Sequence, residues 1–215
     1  MKALPQVIAE LKRLYPEAEC TLDYTEPWRL LFNTRLAAQC TDARVNIVAE
    51  ALYAELPTLE AFSKADLQRL EELVRPCGFY HTKASDLKGC SQILLEKFGG
   101  RVPDTLEDLL KLPGIGRKTA NLVLGEVYGK PAVVTDTHCI RLSNRLGLCA
   151  TEEPYKVELA LRAILPEVEQ LSFCHRLVHH GRAVCTARKP RCEACTLREW
   201  CATGQASAAA ISGRL

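Results

Sequence analysis

Cys185, Cys192, Cys195 and Cys201 stand in the pattern C-x6-C-x2-C-x5-C. Four thiolates within seventeen residues, joined by chain only long enough to wrap one compact object, can hold a single metal centre. Zinc is one reading, but structural zinc sites usually combine two close pairs, and here one C-x-x-C is flanked by single cysteines. A four-iron cluster offers one iron to each thiolate, and the spacing favours it over zinc and over unliganded core cysteines. Between the first two cysteines lies TARKPR. Its Arg188, Lys189 and Arg191 would sit on a loop that a metal centre holds rigid, which suits phosphate contact; a solvated charge run is the alternative.

A second group lies upstream, in LPGIGRKTANLVL, residues 112–124. Pro113 cannot continue a preceding helix, while Gly114 and Gly116 can take positive φ and let another backbone come close. A new helix should start at about Arg117, and its unpaired N–H groups and positive dipole end suit an approaching phosphate. Lys118 falls in the first turn, where a cation is poorly placed against the dipole. Partial burial would add to that, and a free amine is a nucleophile for carbon. Alone, the stretch reads as a glycine connector beside a surface lysine. A partner is offered by VVTDTHCIRLSNRLGL, in which Asp136 follows an apolar pair and precedes a helical run; it could equally be a plain N-cap.

The elements that must position these residues read as helices throughout, with no sustained period-two alternation. Val7, Ile8, Leu11, Leu14 and Tyr15 share one face of a first helix, and residues 28–38 form a second. Thr41 or Asp42 caps a third helix, carrying Val45, Val48, Ala49 and Leu52. Short pieces are expected at 58–63 and 66–75, and a longer helix over 83–98 that Gly99 and Gly100 end. TLEDLLKL follows, capped by Asp104 or Thr105 with Glu107 as its capping-box partner. Further helices are expected at 138–146, 153–164 and 170–182. Residues 203–215 are too small and polar to order themselves and form a frayed tail.

Composition sets outer bounds. A chain of 215 residues, 47% hydrophobic, can bury a sizeable core in one or two domains. A formal net charge of +2 is too small to make the whole surface a polyanion binder, so nucleic-acid contact must come from local basic patches. No apolar run approaches the length of a membrane span, and eleven scattered cysteines are not a disulfide framework, so a reducing interior is expected.

Taken together, LPGIGRKTAN, TDTHCIRLSNR and GRAVCTARKPRCEACTLREWC resemble the helix-hairpin-helix, the aspartate segment and the cluster loop of the endonuclease III family of DNA glycosylases, a likeness extending over residues 5–202. The resemblance implies an all-α fold of two helical domains with a DNA-binding cleft between them. One is a six-helix barrel over 20–129, with the helix-hairpin-helix at about 105–128. The other is an iron–sulfur domain from 1–19 and 130–202, with one 4Fe-4S cluster on the four cysteines. Lys118 would be the nucleophile at the sugar C1′ and Asp136 the carboxylate that assists it. Gln39, in AAQCTD, would fill the space left by a flipped base, and Phe79, in GFYHTKA, would wedge the duplex where leucine is more usual. Gly114, Gly116, Arg117, His138, Arg188, Lys189 and Arg191 would complete the DNA contacts, with His138 on the lesion side.

The implied activity is bifunctional: removal of damaged bases, oxidised pyrimidines by default, and cleavage of the abasic site by β-elimination through a lysine Schiff base. The implied partner is double-stranded DNA carrying such lesions, with no membrane, for a monomer in the prokaryotic cytoplasm at the nucleoid. Adenine-mismatch relatives typically lack the lysine and carry a further C-terminal domain, whereas this sequence has Lys118 and stops at 215. A monofunctional enzyme using Asp136 and water, or a non-catalytic cluster-bearing DNA binder, are the alternatives. Asn33, Arg35, Cys40 and Phe79 depart from the family pattern and bear on substrate preference. Trp200 is expected to shield the cluster, and His179 and His180 to be plain helix residues.

Overall fold

A computed structural model of the protein describes residues 3–206, and among the described residues there is no β-strand. In chain order the α-helices are α1 (Leu4–Leu14), α2 (Pro27–Leu36), α3 (Asp42–Glu55), α4 (Leu59–Lys64), α5 (Leu67–Val74), α6 (Tyr80–Phe98), α7 (Leu106–Leu109), α8 (Arg117–Tyr128), α9 (Thr137–Leu146), α10 (Pro154–Ile164) and α11 (Gln170–Ala183). The chain divides into two compact units, Cys20–Lys130 and the described residues of Met1–Glu19 with Pro131–Leu215.

Local chemistry sets most helix starts. Thr41, Thr58, Asp66, Thr105 and Asp136 each sit in extended backbone at an N-cap, and each side chain accepts from an N–H three residues on. α2 and α10 instead begin with proline, whose missing N–H costs nothing at that position. Two boundaries differ from the sequence expectation by three residues, the others by two at most. α6 starts at Tyr80, three residues early, because Phe79 adopts a left-handed backbone and its carbonyl accepts the Lys83 N–H at 3.0 Å. The TLEDLLKL helix is α-helical only over Leu106–Leu109, and with Thr105 as the cap its third helical residue is Asp108. Asp108 therefore takes the reciprocal cap contact, at 2.9 Å from Thr105 Oγ1, and Glu107 pairs with Lys111 at 3.0 Å instead.

In the first unit, α6 packs against α4 and α5, and α2 against α8. Its core centres on Trp28, Phe32, Tyr53 and Phe62, whose rings meet edge to face around Trp28 at centroid distances of 5.4–5.7 Å. Asn33 is buried in this core: its Nδ2 donates to Asp23 O at 2.8 Å and its Oδ1 accepts from Tyr53 O–H at 2.6 Å. A polar residue where an apolar one is commoner is thus paired through both its amide nitrogen and its amide oxygen inside the fold.

In the second unit, α1 lays Val7 and Leu11 against α11, and α11 packs on α9. Phe173, Cys174, Leu177 and Cys139 fill the space between, and Cys174 Sγ accepts the Val134 N–H at 3.3 Å. The last described residues, 202–206, form a short helical run. Residues 207–215, the rest of the segment expected to fray, lie outside the described residues.

Candidate functional site

The first unit carries Lys118 on its hairpin. α7 ends in overlapping three-residue turns, Leu112 N–H to Leu109 O and Ile115 N–H to Leu112 O, which carry the chain to α8. Gly114 has φ +70°, and a Cβ built there would lie 2.4 Å from Arg35 Nε and 2.4 Å from Asp86 Oδ2. Those two groups form an ion pair of their own at 2.7 Å, so Arg35 of α2 and Asp86 of α6 grip the hairpin where only glycine leaves room. This gives the unusual Arg35 a structural role. Gly116 departs from expectation: its backbone is extended at φ −95°, and a Cβ there would meet nothing within 4 Å. It serves as the N-cap of α8, and no side chain caps that helix end.

These two glycines yield a direct test. Gly114→Ala should cost about 2 kcal/mol or more and lower Tm by roughly 4–8 °C, through strain and the Arg35–Asp86 clash. Gly116→Ala should change stability by no more than about 1 kcal/mol. Thermal unfolding of the two variants side by side checks the contrast.

Lys118 is the second residue of α8 and is exposed, so no burial adds to its unfavourable place against the helix dipole. Arg117 beside it is half-buried. Gln39 and Phe79 share a feature that sequence reasoning had no means to anticipate. They are the two non-glycine residues with positive φ among those described, at 56° and 49°. Both sit in tight turns, and Phe79 is 64% exposed, an unusual state for so large an apolar ring. Cys40 and Cys77 adjoin behind these turns, and burial together with Cys40 pushes the Cys77 thiol up to about 11.

The second unit carries Asp136 and the cysteine loop. Asp136 is the N-cap of α9: its Oδ1 accepts the Cys139 N–H at 2.6 Å, which leaves Oδ2 without a hydrogen bond among the described residues. It is partly exposed, so one carboxylate oxygen orients the group while the other is available to a cation. His138 turns toward α11, with Nδ1 3.1 Å from Arg141 Nη2 and packed so closely on Gly181 that a Cβ there would lie 2.4 Å away.

Beyond α11, Cys185, Cys192, Cys195 and Cys201 line one cavity of about 30 Å³, with Leu142, Leu146, Val184 and Leu197 among its apolar walls. Among the described residues, no three His, Cys, Asp or Glu side chains converge as ligands of one metal ion. Four free thiols around a cavity fit a polynuclear cluster with one iron per sulfur better than a lone zinc ion. Burial raises the pKa of the Cys195 and Cys201 thiols in the metal-free chain.

Two neighbours of the cysteines escaped the sequence reading. Arg145 of α9 donates to Cys185 Sγ at 3.2 Å and to the carbonyls of Thr186 and Ala187 at 2.8 Å each, while its own carbonyl accepts from Cys201 Sγ. His180 places Nε2 3.4 Å from Cys195 Sγ and Nδ1 3.1 Å from the Tyr15 hydroxyl, so it is more than a plain helix residue. Trp200 does not line the cavity; Leu197, 1% exposed, covers it instead. On the basic insert, Arg188 and Lys189 are exposed, and the turn is closed by Thr186 Oγ1 donating to Lys189 O at 2.7 Å. Arg191 folds back, its guanidinium donating to Ala183 O and its N–H to Val184 O.

The chain is similar to known proteins along most of its length. Residues 33–167 match the HhH-GPD superfamily of base excision DNA repair proteins, and residues 185–201 match the iron–sulfur binding domain of endonuclease III. The chain is 45% identical to the endonuclease III of Synechocystis sp. over 94% of its own length and 93% of the relative's. It is 36% identical to that of Bacillus subtilis, over 95% and 94% respectively. Among solved structures, a trapped endonuclease III–DNA covalent intermediate superposes with a TM-score of 0.91 at 36% identity, covering 96% of this chain and 97% of the other.

Proposed function

Because the chain belongs to the endonuclease III family of base excision DNA repair proteins, we propose that Lys118 is its nucleophile and Asp136 the carboxylate that assists it. The protein is a DNA glycosylase and abasic-site lyase, it acts on DNA, and it carries a 4Fe-4S cluster. The lysine assignment rests on one observation: Lys118 is exposed on the first turn of a helix whose N-terminus no side chain caps. The covalent DNA intermediate of the structural relative supports it.

A base stacked in a duplex is out of reach, so the nucleotide is first extruded, which costs a few kcal/mol and least for a lesion already poorly stacked. The free amine of Lys118 attacks C1′ as the C1′–N bond to the base breaks; the base leaves with the bonding pair and takes up the proton that the attacking nitrogen gives up. Oδ2 of Asp136 offsets the positive charge that develops on the sugar. The nitrogen's lone pair then breaks the C1′–O4′ bond, O4′ takes a proton from solvent, and the sugar opens to a Schiff base whose cationic nitrogen makes the C2′ proton acidic. Loss of that proton expels the 3′ phosphate, and hydrolysis then frees the lysine.

The backbone N–H groups at Gly116 and the start of α8, with Arg117, hold phosphate on one side. Arg188 and Lys189 do so from the cysteine loop, and Arg191 supports that loop from below. Gln39 fills the vacated position and the exposed ring of Phe79 wedges the stack. His138, held by Arg141 and Gly181, faces the lesion side. When bound, the cluster supplies four iron–thiolate bonds through Cys185, Cys192, Cys195 and Cys201 that fix the loop. The substrate class is oxidised pyrimidines, and the protein acts as a monomer at the nucleoid of the prokaryotic cytoplasm; the bacterial relatives support the cytoplasmic part of this.

Incubation with duplex DNA containing an abasic site, with and without borohydride, tests this reading. Strand cleavage and a trapped covalent complex are expected from a brown protein that absorbs in the visible blue. Base release from a damaged duplex without trapping would point to the monofunctional mechanism, and an inert, tightly bound complex to a non-catalytic DNA binder.

A further inference from the structure

Lys83 is fully buried, at 0% exposure, yet it meets no carboxylate. Its ammonium donates to three backbone carbonyls: Leu36 O at 2.8 Å, Ala38 O at 2.8 Å and Cys77 O at 2.9 Å. An ammonium has three N–H donors, so all are used. Two of the acceptors lie at the C-terminal end of α2, where the dipole welcomes a cation, and the third closes the turn ahead of α6. Taking a lysine wholly out of water is unfavourable, and desolvation lowers its pKa. Three well-placed carbonyls offset that loss, and an apolar side chain would have filled the space without incurring it.

What the ammonium joins is specific. Ala38 is the residue before Gln39, and Cys77 lies two residues before Phe79. Those are the two turns in which a non-glycine residue holds a left-handed backbone. Lys83 also grips the second turn through its own N–H, which donates to Phe79 O at 3.0 Å. The turns are about forty residues apart in sequence; the Cys40 and Cys77 side chains also meet between them, but among the described residues it is the ammonium that bonds to the backbone of both. One turn further along α6, Asp86 holds Arg35 against the hairpin glycine, so the start of α6 anchors three segments at once.

We infer that Lys83 is a positioning residue: its ammonium fixes the Gln39 and Phe79 turns relative to each other, so that gap filling and wedging occur as one event. The inference rests on the proposed roles of Gln39 and Phe79. Lys83 itself touches neither the reacting sugar nor the base. Left-handed backbone at a glutamine and a phenylalanine is unfavourable and persists only where the surroundings hold it. The buried ammonium holds the backbone of both turns, beside the Cys40–Cys77 side-chain contact.

The test uses full-length holoprotein and a duplex with 2-aminopurine opposite a tetrahydrofuran abasic analogue, whose fluorescence reports unstacking of the orphaned base. Wild type should raise the fluorescence. Lys83→Met, which fills the same space but donates nothing, should bind the duplex within about threefold by anisotropy, lose most of the fluorescence rise, and release damaged bases roughly tenfold more slowly in kcat with KM little changed. In a Gln39→Ala/Phe79→Ala background it should cost no more than about twofold further, because the groups it positions are gone. A full tenfold loss in that background, or an unchanged fluorescence response in Lys83→Met, overturns the inference. If Gln39→Ala/Phe79→Ala is itself as active and as fluorescent as wild type, the roles of those two residues fail first. Should Lys83→Met not fold by circular dichroism, Lys83→Arg carries the same cycle, since it keeps the charge and donors but spreads them over a wider fork.

Discussion

Lys118→Ala should lose strand cleavage at an abasic site by roughly three orders of magnitude or more, and borohydride should trap no covalent complex. The fold should not suffer. Lys118 is exposed in the first turn of α8, where alanine is the better helix former and a cation opposes the helix dipole. Removing it should leave Tm unchanged or raise stability by about 0.3–1 kcal/mol. Loss of chemistry with no loss of stability is the signature of a nucleophile; a structural lysine would give the reverse. Lys118→Arg should be as inactive, since a guanidinium cannot form the Schiff base. Binding to a non-cleavable abasic analogue should stay within a few-fold. Trapping by Lys118→Ala at the wild-type level would assign the nucleophile elsewhere.

Asp136→Asn should slow base release by about 10²- to 10⁴-fold while leaving thermal stability where it was. The two effects separate because Asp136 does two things. Its Oδ1 caps α9 through the Cys139 N–H, and asparagine caps as well as aspartate. Its negative charge, by contrast, has no substitute in the amide. Asp136→Ala removes both, and should lose about 1 kcal/mol of stability on top of the same kinetic defect. Cleavage of a preformed abasic site should be less affected than base release in both variants, because the C1′–N bond is already broken. Full base release by Asp136→Asn would show that the cap is the whole of its role.

Helix type and capping chemistry were readable from the chain because they are local. Thr41, Thr105 and Asp136 announce their helices through side chains that reach only three residues on. The four cysteines were readable for the same reason: their spacing is itself the constraint. What could not be read depends on partners distant in sequence. Lys83 looks like any solvated lysine on an amphipathic helix, and its acceptors lie up to 47 residues away. Arg145 and His180 reach cysteines 40 and 15 residues on through side chains with no motif to mark them. Gly116 was misread because two glycines in a turn look alike, although only Gly114 has a neighbour at its Cα that a side chain would strike. The left-handed backbone at Gln39 and Phe79 has no sequence signature, since neither residue type prefers it.

The second unit is assembled from both flanks of an unbroken first one, and this imposes an order on synthesis. Residues 20–130 are one continuous stretch that forms its own compact unit, and all of it is made before the later flank of the second. α1, made first, packs on α11, and Tyr15 waits for His180, 165 residues later. At about 5–20 residues per second, that is an interval of roughly 10–30 s during which the apolar face of α1 has no native partner. The cysteine loop emerges later still. The four cysteines at 185–201 emerge after both α1 and the whole of residues 20–130, so cluster loading follows those segments in time.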